Sequence, residues 1–260
     1  MNPAGALFSL TGQVVLVTGA GSGLGLAIAQ ACATQGATVV LAGLDGIACA
    51  QAADALRAAG HDAIGLPCDV SRRAEVQRLV DDVLQLRGRI DTLVCNAGVQ
   101  GPAGPLGHAT EADWDRVMTV NLRSVLWLTG RVIPGMAERG GGSVILMASI
   151  AGLRGNKAIG LYGLSKAGLA QLARNLAVEW GPQGVRVNAI SPGLIATPFS
   201  QAMRDDEALM QRRLALTPLR RVGQPHEVAG VAVMLASAAG AFITGHNLVV
   251  DGGTTIGDGN

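Results

Sequence analysis

Tyr162 is the only tyrosine in the chain, and Lys166, four residues on, is one of two lysines against eighteen arginines. Residues four apart on a helix share a face, so this spacing sets a phenol beside an ammonium. The positive charge favours the phenolate and predicts a phenol titrating well below its ordinary ~10, in reach of acid/base work near neutrality. A compact ammonium with three rotating donors suits that task better than the planar fork of arginine. The alternative is an ordinary exposed helix pair.

Seven short apolar runs alternate with stretches of helical length, the pattern of a parallel sheet covered on both faces. Strands are predicted at Val14–Val17, Thr38–Ala42, Ala63–Pro67, Thr92–Cys95, Ser143–Ala148, Arg186–Ile190 and Asn247–Val250. Two long helices are predicted, Glu111–Glu138 with a break near Pro134, and Leu161–Gly181 carrying the Tyr/Lys pair. No repeat or linker divides residues 1–260, which read as one doubly wound α/β (Rossmann-type) domain with a seven-stranded parallel sheet. Ligands are expected at the carboxyl ends of the strands.

The net charge of +1 and the 3% aromatic content argue against nucleic acid as a partner. Val228–Gly245 carries no charge for eighteen residues, but its small and polar residues favour a buried helix and a turn at Thr244 and Gly245 over a membrane span. Residues 1–13 lack the positive charge of a signal peptide. Cys32, Cys49, Cys68 and Cys95 have no metal-like spacing and read as reduced, mostly buried residues of a cytoplasmic protein. His61, His108, His226 and His246 share no ligand spacing, so no metal is assigned.

After the first strand comes a glycine-rich turn, Gly19, Ser22, Gly23, Leu24 and Gly25 within Thr18–Gly25, opening a helix. Such a turn lets backbone approach a pyrophosphate at the positive end of the helix, and its place between strand and helix points to a dinucleotide. A plain strand-to-helix turn is the simpler alternative. The second strand ends in Gly43, Leu44 and Asp45, with glycine where an acid would select the ribose hydroxyls of NAD. No cation lies between Leu26 and Ala55 to receive the 2′-phosphate of NADP, so NAD is favoured, with Asp45 reaching back.

In these motifs the chain resembles the compact short-chain dehydrogenase/reductases over nearly its whole length. Thr18–Gly25 matches the family's Thr-Gly-x-x-x-Gly-x-Gly loop, and Asp69 with Val70 resembles its adenine-contacting segment. Cys95, Asn96, Ala97 and Gly98 match its Asn-Asn-Ala-Gly run, except that Cys95 replaces the first asparagine and removes one strand-stabilising hydrogen bond. Asn121, Ser149, Tyr162 and Lys166 match the catalytic tetrad, and Pro192, Gly193, Ile195 and Thr197 the segment closing over nicotinamide.

The resemblance implies an NAD(P)-dependent oxidoreductase interconverting a secondary alcohol, diol or sugar hydroxyl with its ketone. Tyr162 would be the general acid/base, with its pKa lowered further by an oxidised cofactor. Lys166 would support the phenol and hold the nicotinamide ribose, Ser149 would orient the substrate oxygen, and Asn121 would hold a relaying water. Taken singly, Ser149 equally suits a turn cap and Asn121 a backbone partner.

Substrate choice is expected in Gly98–Thr110, Ala151–Leu161 and a lid over residues 198–223, whose Phe199, Met203, Leu209 and Met210 also fit an ordinary amphipathic helix. Lys157, five residues before Tyr162, is read as a solvated loop residue in preference to a receiver for an anionic substrate. Apolar positions Val125, Leu128, Leu169, Leu172 and Leu176 are expected to exceed what one subunit can cover, and by analogy with the family the assembly is a homotetramer. A 3-oxoacyl carrier-protein reductase is the close alternative, weakened because Pro134 and Val178 stand where such enzymes carry docking arginines. A non-catalytic dinucleotide sensor is the alternative of another class, and the intact tetrad speaks against it.

Overall fold

The computed structural model describes residues 6–257. Its centre is one parallel sheet of β1 (Val14–Thr18), β2 (Thr38–Gly43), β3 (Ala63–Pro67), β4 (Thr92–Cys95), β5 (Gly142–Met147), β6 (Val185–Pro192) and β7 (Asn247–Val250). The strand order is β3-β2-β1-β4-β5-β6-β7. The chain therefore winds outward from β1 in one direction and from β4 in the other, which opens a crevice at the carboxyl ends of these two neighbours.

The period-2 alternation of a strand divides each buried run between two helix layers. In β1, Val14 and Leu16 face one core, with α3 (Arg73–Arg87), α5 (Ser124–Glu138) and α6 (Gly160–Trp180). Val15 and Val17 face the other, with α1 (Gly23–Thr34), α2 (Gly46–Ala58) and α9 (Pro225–Ala236). The remaining helices are α4 (Glu111–Met118), the short α7 (Gln201–Arg204) and α8 (Glu207–Ala215). Leu16, Leu41, Leu93, Ile145 and Leu146 are fully buried, each contributing roughly 1.5–3 kcal/mol of burial free energy.

The uncharged tract is the buried helix α9 followed by turns, and no helix among the described residues is long and apolar enough to cross a membrane. Val125, Leu128 and Leu169 are core of the subunit itself, and Leu172 and Leu176 pack against it. The apolar surface left on these helices is instead Leu126, Leu164 and Val178.

The expected break at Pro134 is absent, and α5 runs through it. The irregularity lies upstream, in the π-helical turn Thr119–Arg123 that joins α4 to α5. Ser124 explains how the wider turn is held. Its N–H donates five residues back to the Thr119 carbonyl, while its hydroxyl donates to the Val120 carbonyl at 2.6 Å. Ser124→Ala removes the hydroxyl bond to that half-buried carbonyl and should cost about 1–3 kcal/mol in urea unfolding, with Ser124→Thr recovering most of it.

Candidate active site

One cleft of about 300 Å³ opens at the carboxyl ends of β1, β4, β5 and β6. It brings together Gly19, Ser22, Gly23, Leu24, Asn96, Ala97, Gly98, Ser149, Tyr162, Lys166, Pro192, Gly193, Ile195 and Thr197 from the sequence-predicted set.

At the first of its walls the chain leaves β1 through Gly19, whose φ of +62° suits glycine. A Cβ on Gly25 would stand 2.3 Å from the Gly19 carbonyl oxygen, so the turn closes only because that atom is missing. Asn96 fastens the turn to β4, its Nδ2 donating to the carbonyls of Thr18 at 2.9 Å and Gly19 at 3.0 Å. Thr18 returns the link, its hydroxyl accepting from the N–H groups of Asn96 and Ala97 at 3.1 and 3.2 Å. Ser22 opens α1 without a side-chain cap, and no acid stands in the first turn. The first amides of α1 thus remain free for an anion at the positive helix end.

The opposite wall is built on α6. Lys166 is 4% exposed, and its Nζ donates to the Met147 carbonyl at the end of β5 at 2.6 Å. The same Nζ lies 5.5 Å from the Tyr162 ring centroid. Burial lowers the ammonium to about 8, opposed only weakly by Cys95, whose own burial pushes its thiol up to about 12. Burial likewise raises the Tyr162 phenol, with the Ser149 hydroxyl pulling it partly back. This runs against the expectation of a low phenol pKa from the Tyr/Lys pair alone: in the free chain, desolvation of the phenol is the larger cause.

Ser149 does cap a turn, its Oγ accepting from Ala151 N–H at 3.1 Å, which leaves its O–H free to donate. Asn121 is fully buried in the π-turn. Its Oδ1 accepts from Val99 N–H and its Nδ2 donates to the Val99 carbonyl, both at 2.8 Å, and to Ser165 Oγ at 2.9 Å. The side chain is therefore committed to protein partners. Ser165 in turn donates to the Tyr162 carbonyl at 2.8 Å, so Asn121 is tied to the backbone of the tyrosine. Gly98 threads between the two walls, where a Cβ would meet Asn121 Oδ1 and Lys166 Nζ, both at 3.3 Å.

Gly43, Leu44, Asp45, Asp69 and Val70 lie outside this cleft, at the carboxyl ends of β2 and β3. Gly43 still borders the glycine turn, since a Cβ there would stand 3.9 Å from the Ala20 and Gly21 nitrogens. Asp45 does not reach back. It caps α2, accepting from Ala48 N–H at 2.9 Å. Asp69 accepts from both the N–H and the hydroxyl of Ser71, which hold its carboxyl below the usual range.

Sequence reasoning missed Thr18 and Ser165 as positioning residues, though Ser165 stands beside Lys166 in the motif itself. It named the segments that carry Arg154 and Arg213 but not these two arginines, which line the cleft from places far apart in the chain. Among the described residues no cluster of His, Cys, Asp and Glu is arranged to hold a metal.

The chain is similar to several known proteins. A family model described as Enoyl-(Acyl carrier protein) reductase matches residues 19–255. Dehydrogenase/reductase SDR family member 4 of Oryctolagus cuniculus is 40% identical over 244 residues, covering 94% of each chain. Two similar solved structures are each 34% identical with a TM-score of 0.93. A gluconate 5-dehydrogenase from Burkholderia cenocepacia, in complex with NADP and tartrate, aligns over 97% of this chain and 99% of its own. A 7α-hydroxysteroid dehydrogenase, complexed with NADH and 7-oxo glycochenodeoxycholic acid, aligns over 97% and 98%.

The buried ammonium has a measurable signature. With a folded pKa of about 8 against ~10.4 unfolded, the native state binds fewer protons between these values, so this group makes stability rise with pH there. The stability of wild type minus that of Lys166→Met should rise by on the order of 3 kcal/mol across the window, and denaturant titrations along a pH series check it.

Proposed function

The chain belongs to the short-chain dehydrogenase/reductase family and is an NAD(P)-dependent oxidoreductase, and from that premise we propose that it interconverts a secondary alcohol and its ketone with Tyr162 as general acid/base. The observation that carries this reading is the convergence of Ser149, Tyr162 and Lys166 on the cleft that the uncapped glycine turn also enters. A bound NAD(P) supplies the hydride acceptor or donor.

The chain's own residues supply the rest. The free amides at Gly23–Gly25 would hold the pyrophosphate, with Gly19 leaving room for it. Gly43, Leu44 and Val70 would border the adenosine, with Asp69 preset by Ser71. Asn96, Ala97, Gly98, Pro192, Gly193, Ile195 and Thr197 would frame the nicotinamide end. Ser149 donates its free O–H to the substrate oxygen and fixes that oxygen near the phenol. Tyr162 takes the alcohol proton or returns it to the ketone oxygen. Lys166 holds its charge under the ring and so stabilises the phenolate that forms. Asn121 positions Tyr162 through Ser165.

Phe199, 55% exposed with its ring centroid 6.0 Å from that of Tyr162, supports residues 198–223 as a lid. Exposed Leu126, Leu164 and Val178 on α5 and α6 support a homotetramer. Val178, 80% exposed and uncharged, offers nothing to an acidic carrier protein.

Tyr162→Phe should lower turnover by about 10²–10⁴ on any alcohol or ketone accepted, with cofactor affinity nearly unchanged. Cofactor binding with no hydride transfer across a broad panel would instead assign a sensor. Of the two cofactors we favour NAD, because the β2–α2 loop bears no cation for a 2′-phosphate. Fluorescence titration should give a lower Kd for NADH than for NADPH, and equal or tighter NADPH binding overturns the choice.

A further inference from the structure

Among the described residues, the cleft wall holds two guanidinium groups and no carboxylate. Arg154, exposed on the loop after β5, and Arg213, half-buried on α8, both line it, and no Asp or Glu does. They approach from separate elements, yet closely enough that Arg154 depresses Arg213, with burial the larger cause and Arg212 a smaller one. None of the ion pairs among the described residues includes either arginine.

Two neighbouring cations of this region are accounted for differently. Arg204 is turned to the lid backbone, donating to the Thr197 carbonyl and to Ser200 Oγ at 3.2 Å each. Arg221 is paired with Glu227. Asn156, also in the wall, spends its Oδ1 on the N–H groups of Ala158 and Ile159, so its amide has only donors left to offer. Two like charges drawn together while one is half-buried repel each other and lose hydration unless an anion lies between them. The cofactor phosphates do not fill this role in the proposed mode, since they meet the amides of Gly23–Gly25 on a different wall.

We propose that the substrate is a small hydroxy acid or oxo acid whose carboxylate is received by Arg154 and Arg213. The inference rests on the alcohol/ketone reading above and narrows it. A planar fork matches a carboxylate with two parallel N–H···O bonds, which lysine cannot do. Phe199, Met203 and Ile159 supply the apolar wall beside it. The cleft lies at the small end of ligand pockets and is shared with the nicotinamide, so the acid is short. The carboxylate takes no part in the bond changes. In the oxidative direction the carbinol C–H pair leaves as hydride to the oxidised nicotinamide, the O–H proton passes to the Tyr162 phenolate, and a C=O double bond remains.

The test pairs 2-oxopentanoate, 4-oxopentanoate and 5-oxohexanoate with their methyl esters, in which the charge alone is removed. Wild type should favour at least one acid over its ester by about tenfold or more in kcat/KM, carried mainly by KM. Arg154→Gln and Arg213→Gln should each erase most of that preference, and Arg174→Gln on the surface of α6 should leave it. Esters equal to or better than every acid, or a preference unmoved in both cleft variants, overturns the proposal. A calorimetric arm separates it from the reaction itself. In Tyr162→Phe loaded with reduced cofactor, the preferred acid should bind about tenfold tighter than its ester, and adding Arg213→Gln should remove the difference. That difference without turnover of any ketone by wild type would sustain the anion site while sinking the proposed chemistry. Turnover of esters alone would do the reverse.

Discussion

The structure around the cleft depends on holding one ammonium out of water. Among the described residues Lys166 has no carboxylate partner, and its charge rests on the Met147 carbonyl and the face of the Tyr162 ring. Burying a charge so sparsely paired is costly, and the cost appears as the depressed pKa. It is tolerated because α6 is pressed against the strand end. A Cβ on Gly163 would meet the Ala151 carbonyl oxygen at 2.7 Å, and one on Gly152 would meet Ala167 N at 2.6 Å. These two glycines set the distance from β5 to the helix, and therefore what Lys166 can reach. The Asn121–Ser165–Tyr162 chain sets the position of the helix's other partner, the π-turn.

The two walls are made by different physics. The α6 wall relies on desolvation, which moves both titrating groups toward their neutral forms. The glycine wall relies on missing side chains and on uncapped amides, which carry partial charge with no proton to lose. Asn96 and Gly98 join the walls, one by hydrogen bonds to the turn and the other by thinness. A ligand spanning both would bring its anionic part to fixed dipoles and its reacting part to groups of adjustable protonation.

All seven strands were legible in the sequence, because a sheet covered on both faces needs unbroken apolar runs and each run had turn residues at its ends. The Tyr/Lys pair was legible because both types are scarce in this chain. The π-turn was not, since Ser124 is distinguished from any other helical serine only by the carbonyl it reaches. Pro134 misled because α5 continues through it to Glu138 despite the missing N–H. The direction of the phenol shift was also hidden: spacing reveals a nearby charge, but burial, which wins here, belongs to the assembled fold. The pairing of Arg154 with Arg213 was hidden for the same reason: both lie in segments expected at the substrate, but nothing local links a loop after β5 to α8.

The central claim is that a buried, neutral phenol is held ready for ionisation by a cation beneath it and by the cation a cofactor brings. With one tyrosine and three tryptophans, the phenolate can be followed by ultraviolet difference against a Tyr162→Phe blank. The free protein should titrate above ~10 and the protein saturated with oxidised cofactor well below that. A phenol that titrates at the same pH in both states would contradict the account.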